Sequence, residues 1–207
     1  MSRRAIAVYA FFIALFGVSC YFAHRYDYFP GDLSISSWIQ GIDFTWFKPL
    51  MRFAPYVAGL CVVVALRFWL PGRRLAIIFI ASAASAAGLI GWLLKLLVSR
   101  PRPGAELVQV WVGTIGSGFP SGHVACATVI GGFFFYLAPR LIKTPLATGL
   151  LRALVVVIIL AVGLSRIYLG AHWASDVAGG LFLGGLLLYP AIVLYNRYEA
   201  KRGAKHA

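Results

Sequence analysis

Six apolar runs alternate with short polar stretches along the chain: Ala5–Phe22, Phe53–Leu70, Leu75–Val98, Val124–Leu137, Leu146–Leu164 and Trp173–Tyr195. Several approach the roughly 20 residues that an α-helix needs to cross a bilayer core. The pattern predicts an all-α fold, a polytopic membrane helix bundle of about six transmembrane helices. The fourth run is short, and reaches spanning length only if its helix starts near Ser121, inside the stretch "GFPSGH" from Gly118 to His123. Between the first two runs, Ile35, Trp38, Ile39, Ile42 and Trp46 recur at helical spacing, with Ser36, Ser37, Gln40 and Asp43 on the other side. That spacing fits a short amphipathic helix in the outer interface, and equally an aromatic-rich interfacial loop. No internal repeat or low-complexity linker interrupts the chain, so residues 1–207 are expected to form a single domain.

Composition removes the soluble alternatives. Of the 207 residues, 61% are apolar and only 12% charged, with a mean hydropathy of +0.84. A soluble domain is about half apolar and about a quarter charged. Cys20, Cys61 and Cys126 fall within apolar runs at no metal or disulfide spacing, and are expected to be small packing residues. The first run reads as an uncleaved anchor, because no small-residue cleavage site followed by a soluble mature segment is visible.

A net charge of +13 raises nucleic acid as a partner, and the distribution of the charges answers it. With the N-terminus in the cytoplasm, twelve of the 19 basic residues fall in inner loops and tails, against the single acid Glu199. They include Arg3, Arg4, Arg73, Arg74, Arg140, Lys143 and the basic tail at about 196–207, which ends with Lys201, Arg202 and Lys205. That bias sets orientation during insertion and fits an even number of spans with both termini cytoplasmic. The positive charge is therefore expected to meet lipid headgroups, not nucleic acid.

Lys95, Arg100, Arg102 and Arg166 stand on the outer side, against this bias. Ionisable groups at span ends are costly and commonly face a polar cavity or a ligand. "KLLVSRPRP" closes the third run, where its prolines stop the helix. "SRIYLGAHWASD" closes the fifth run and opens the sixth, so these stretches and "PSGH" reach one membrane face. Lys95, Arg102 and Arg166 supply point charges and planar forks suited to a multi-oxygen oxyanion, of which phosphate is the obvious example. Ser121 is a candidate N-cap, and Gly122 lets the backbone of a helix start come close to an anion. His172 and Asp176 are four apart at a helix start and share a face. A carboxylate there can hold the imidazole N–H and leave the other ring nitrogen as a nucleophile, while His123 gives a proton to the leaving oxygen. Singly, each residue has a structural explanation; the case rests on their joint occurrence.

With these residues in place, the sequence resembles the type 2 phosphatidic acid phosphatase superfamily, the lipid phosphate phosphatases. Three signature blocks carry the resemblance: Lys95, Arg102 and Pro103; then Pro120, Ser121, Gly122 and His123; then Ser165, Arg166, His172 and Asp176. All eleven positions fall at the family's spacing within residues 95–176. The resemblance implies that His172 attacks phosphorus to form a phosphohistidine, that Asp176 orients it, and that His123 protonates the leaving lipid oxygen. It implies that Lys95, Arg102 and Arg166, with Ser121 and the Gly122 amide, bind the phosphoryl oxygens, with no metal and no cofactor. The expected substrate is a membrane lipid phosphate, with undecaprenyl pyrophosphate favoured by an outer-facing site. Phosphatidic acid and phosphatidylglycerophosphate are the alternatives, ahead of a soluble phosphate or a non-catalytic role. Arg100, outside the signature, reads as a ligand for a second phosphate or headgroup, or as an interface anchor, so its replacement by lysine is expected to be mild. Tyr168 and Trp173 read as aromatic-belt residues.

Overall fold

The computed structural model describes residues 3–42, 46–68, 73–113 and 115–203. Asp43, Leu70 and Lys205, which the sequence assigned to a polar helix side, a span end and a basic tail, lie outside them. Among the described residues every regular element is a helix: α1 (Arg3–Arg25), α2 (Asp32–Gln40), α3 (Phe47–Phe68), α4 (Arg74–Val98), α5 (Gly122–Leu141), α6 (Pro145–Tyr168) and α7 (Ala174–Gly203). Of these, α1, α4, α5, α6 and α7 are long and apolar enough to cross a membrane. The predicted second span corresponds to α3, which begins earlier, at Phe47, and is not among those five. Large apolar side chains such as Phe11, Leu97, Leu146 and Val157 point outward and are exposed. Hydrocarbon accepts such a surface, and only helices or closed barrels satisfy their backbone groups within it.

Helix α5 is the centre of the bundle, packed by α4, α6 and α7. Val124, Ala125, Val129, Phe133 and Leu137 are fully enclosed there. The approach of α7 to α5 depends on small residues, as is common between helices in membranes. A Cβ on Gly184 would lie 2.5 Å from Thr128 Cβ, and one on Gly180 would lie 2.6 Å from the Ser121 carbonyl oxygen. The start of α5 at Gly122 is where the sequence required it. Ser121 occupies the N-cap position, although its hydroxyl makes no capping bond. Helix α4 stops at Val98 because Ser99 turns into the left-handed region, at φ 50°, ahead of Pro101.

Three expectations are revised. The amphipathic segment is a helix, α2, whose protein-facing side is mixed: Asp32, Ser36, Ile39 and Gln40 are buried, whereas Ile35 and Trp38 are 44% and 74% exposed and Ser37 is exposed too. Gln40 Nε2 donates to the carbonyls of Gln109 (2.7 Å) and Tyr168 (2.9 Å), and its Oε1 accepts from Gln109 N at 3.0 Å. The belt aromatics are interior residues. Tyr168 and Trp173 are 2% and 1% exposed. Tyr168 packs on Phe47 and Trp111, each at 4.8 Å between ring centroids, and Trp173 on Tyr28 at 5.3 Å. Finally, α7 runs past Tyr195 to Gly203, through part of the segment read as a tail. Glu199 holds this extension, accepting from Tyr195 Oη (2.8 Å) and from Arg140 of α5 (3.0 Å). Cys20 and Cys126 are half-buried free thiols.

Candidate active site

The segment between α4 and α5 and the segment between α6 and α7 are tied to each other and to the adjoining helix ends by main-chain hydrogen bonds. Gly118 N donates to Arg100 O (2.8 Å), and Ser121 N to Asp176 O (2.9 Å). Ala171 N and His172 N both donate to Arg166 O, at 3.0 and 3.2 Å. Residues far apart in sequence, such as Ser121 and Asp176, are thereby fixed at one end of the bundle.

Six of the predicted residues line one cavity of about 1020 Å³: Lys95, Arg102, Gly122, His123, Arg166 and His172. Its remaining walls are apolar side chains of α5 and α6, such as Ile130, Phe134, Leu151, Val155 and Ile158, with parts of α3. The cations are oriented by backbone carbonyls. Lys95 Nζ donates to Ser117 O (2.9 Å), and Arg102 donates to Gly116 O from Nε (2.8 Å) and to Ala171 O from Nη1 (2.7 Å). Arg166 Nε donates to Ser165 Oγ at 3.2 Å. Apart from its chain neighbours and the helix's own backbone, no atom of the described residues lies within 4 Å of where a Cβ on Gly122 would stand, so the backbone at the α5 start is open to a ligand.

Asp176 and Ser121 stand behind this wall. Ser121 is fully buried, and its Oγ makes no hydrogen bond within the described residues. Asp176 is also fully buried and divides its oxygens. Oδ2 accepts from Trp173 N (3.0 Å) and lies 3.4 Å from His172 Nδ1; Oδ1 accepts from Arg100 Nη1 at 2.6 Å. The other ring nitrogen of His172, Nε2, is 3.3 Å from Arg102 Nη1, on the cavity side. Burial pushes the His172 imidazole down to about 4, Asp176 opposing and the charges of Arg102 and Lys95 adding to the fall. The ring is therefore neutral at pH 7, with a lone pair available on one nitrogen.

Arg100 is the residue that sequence reasoning misplaced. Its side chain is 0% exposed and joined to Asp176, so it is neither an interface anchor nor a headgroup ligand. The expected mild effect of lysine at this position is withdrawn on that ground. No local signal separates it from Arg102: its partners are brought by α2 and α7.

The model of the PAP2 superfamily matches residues 75–200. The chain belongs to the PAP2 superfamily. It is 35% identical, over 66% of its length and 72% of the relative's, to decaprenylphosphoryl-5-phosphoribose phosphatase of Mycobacterium tuberculosis. A protein of Escherichia coli with the provisional name undecaprenyl-diphosphatase YbjG is 31% identical, over 77% of this chain and 75% of that one. The crystal structure of a transmembrane PAP2-type phosphatidylglycerolphosphate phosphatase from Bacillus subtilis shares the fold, with a TM-score of 0.75 at 22% identity over 93% of this chain and 96% of that one. This PAP2 protein is thus a multi-pass membrane protein of a lipid phosphatase family.

Proposed function

We propose that the chain removes phosphate from a polyprenyl lipid, with undecaprenyl pyrophosphate as the preferred substrate, through a phosphohistidine on His172. The observation that carries this reading is the shape of the cavity: an apolar passage between α3, α5 and α6 that ends among Lys95, Arg102, Arg166 and two histidines. A sugar phosphate has no use for such a passage, whereas a long isoprenoid tail does. A smaller cavity of about 500 Å³, lined by Arg52, Tyr56 and Trp111, meets it at His123 and Arg166. Tail and water therefore have separate approaches to one phosphoryl position. The two relatives above carry polyprenyl-lipid names, which supports the same substrate class.

In this mechanism the lone pair of His172 Nε2 forms the N–P bond while the bond from phosphorus to the leaving oxygen breaks. His123 passes its proton to that oxygen, which for a pyrophosphate belongs to the departing polyprenyl monophosphate. Asp176 accepts Nδ1–H and offsets the positive charge that develops on the ring. Lys95, Arg102, Arg166 and the Gly122 amide stabilise the oxygens of the transferring group, which is where most of the acceleration in phosphoryl transfer arises. Water then attacks phosphorus and passes a proton to His123 while the N–P bond breaks, releasing inorganic phosphate and restoring both histidines. The cations supply the charge that a divalent ion supplies elsewhere, so the reaction is expected to persist in EDTA. The positive-inside bias supports a site on the outer face with both termini cytoplasmic.

The test is phosphate release by the purified protein from undecaprenyl pyrophosphate, undecaprenyl phosphate, phosphatidic acid, phosphatidylglycerophosphate and glucose 6-phosphate, each with and without EDTA. The polyprenyl pyrophosphate should be turned over fastest in both conditions. His172→Ala should lose about 10⁴-fold or more in kcat while still inserting. A preference for phosphatidic acid overturns the substrate, dependence on added magnesium overturns the metal-free site, and an active His172→Ala overturns the intermediate. Orientation is read by impermeant thiol labelling of intact cells carrying one cysteine in a cysteine-free background. Ile115→Cys, at a fully exposed position, should label, and Lys205→Cys should label only after lysis. The reverse pattern places the site in the cytoplasm.

A further inference from the structure

Asp32 lies outside the segment that defines the family, at the first residue of α2, and yet it is 3% exposed and joined to the site. Its Oδ1 accepts from Ser175 N at 2.8 Å. Its Oδ2 accepts from Phe29 N (2.8 Å), from Ser175 Oγ (2.6 Å) and from Arg100 Nη2 (3.0 Å). Arg100 completes the connection. Nη1 donates to Ser175 Oγ (2.7 Å) and Asp176 Oδ1 (2.6 Å), Nε donates to Tyr26 O (3.3 Å), and the Phe29 ring covers the guanidinium at 4.5 Å. Two carboxylates thus flank one arginine in the interior, and Ser175, next to Asp176 in sequence, is held by both Asp32 and Arg100.

Packing alone does not account for this arrangement. Apolar residues of equal volume fill such a space as well as an ion cluster or better, because buried charges lose their hydration. What the cluster adds is direction. Asp176 can present Oδ2 to His172 only while its carboxylate is kept from rotating; Trp173 N holds Oδ2 itself, and Arg100 holds Oδ1 from the other side. Arg100 is itself aimed by Asp32, and the bonds from Asp32 to Ser175 fix the first turn of α7, on which Asp176 stands. The charge balance follows the same logic. One arginine against Asp176 alone would neutralise the carboxylate that must offset the positive charge on the reacting imidazole. With Asp32 sharing the guanidinium, the cluster keeps a net negative charge facing His172.

We infer that Asp32 is a positioning residue of the phosphatase site: acting through Arg100 and Ser175, it fixes the carboxylate of Asp176 and so the tautomer and orientation of His172. Helix α2 thereby becomes part of the active site without touching substrate. The inference rests on His172 as the nucleophile, and the experiment keeps the two ideas apart.

The full-length protein in lipid nanodiscs is compared with its Asp32→Asn variant, which keeps the side-chain size and removes the charge. For a displacement of the kind expected, kcat should fall about tenfold to a hundredfold. KM should stay within about twofold, because none of the cations lining the cavity is altered. In ¹⁵N-histidine spectra the His172 signal should move from the Nδ1–H tautomer toward a mixture of the two, a change that a general loss of packing does not produce. If the asparagine variant does not fold, Ser175→Ala removes the hydroxyl that joins Asp32 to Arg100, and should lower kcat less, with the same tautomer shift and unchanged KM. A folded variant with the parent kcat and an unchanged tautomer overturns the inference, as does a loss confined to KM or to protein yield. His172→Ala is assayed alongside. If it is inactive while Asp32→Asn is unaffected, only the positioning role falls; if it is active, the nucleophile falls and the positioning role with it.

Discussion

The imidazole of His172 should remain neutral far below the pH at which a histidine ordinarily takes up a proton, and that expectation can be worked through in numbers. Burial is the largest cause, lowering the group from 6.5 to about 4 against the opposing pull of Asp176. At pH 5.5 an ordinary histidine is about 9% neutral, whereas one titrating near 4 is about 97% neutral, a tenfold difference in available nucleophile. The same displacement acts on stability. The unfolded chain takes up a proton below about 6.5 that the native site refuses until about 4, so this contribution is complete above pH 6.5 and lost as the pH falls through that window. The gap corresponds to about 3 kcal/mol at the acid end. The assay is ¹⁵N-histidine spectroscopy on protein in which His24, His123 and His206 are replaced by glutamine, so that one imidazole remains. Between pH 7.5 and 4.5 the ring should stay neutral and protonated on Nδ1, the nitrogen that faces Asp176. A midpoint near 6.5 would show that His172 is hydrated in the working protein, and would refute the enclosed geometry on which its role as a nucleophile depends.

Three substitutions extend the argument. Arg102→Lys keeps one positive charge but cannot reproduce the bonds to Gly116 O and Ala171 O from two different nitrogens, so kcat/KM should fall about 10²- to 10³-fold with little change in thermal midpoint. A fall under tenfold would return Arg102 to the role of a headgroup anchor. Gly122→Ala should leave the thermal midpoint unchanged while weakening inhibition by orthovanadate and raising KM, since the added methyl meets no protein atom and enters the cavity; unaltered vanadate inhibition would remove the α5 backbone from the phosphate site. Gly180→Ala should cost about 1–3 kcal/mol of stability, read as a lowered thermal midpoint, because its Cβ would stand 2.6 Å from Ser121 O and 3.0 Å from Val124 Cβ. An unshifted midpoint would mean that α7 does not lie as close to α5 as described.

Much of the site was legible because phosphate chemistry constrains residue type and spacing together. Lys95, Arg102 and Arg166 had to be cations, His172 and Asp176 had to be one helical turn apart, and His123 had to begin a helix that was otherwise too short to span. What the sequence concealed depends on which side of a residue faces lipid and which faces protein. In water, an apolar helix side turns inward, so a polar side of Ser36, Ser37, Gln40 and Asp43 reads as facing away from the protein. At a membrane interface lipid accepts Ile35 and Trp38, and part of the polar side is left for the protein, where Gln40 bonds to Gln109 and Tyr168, and Asp32 to Ser175.

The same ambiguity hid Arg100. A cation beside a span end has a headgroup available in any sequence-based account, and nothing local distinguishes Arg100 from Arg102. The distinction comes from α2, seventy residues away, whose carboxylate gives Arg100 a second partner in the interior and leaves Arg102 to the cavity. Each cation was recognisable as out of place; its task was set by the number of anions the fold brought to it. Arg100 meets two carboxylates and is fixed as a structural cation, whereas Lys95, Arg102 and Arg166 bond to carbonyl and hydroxyl oxygens and, for Arg102, to His172 Nε2, with no carboxylate in hydrogen-bonding reach among the described residues. No carboxylate is paired with those three, and a phosphoryl group is a partner their charge is suited to receive.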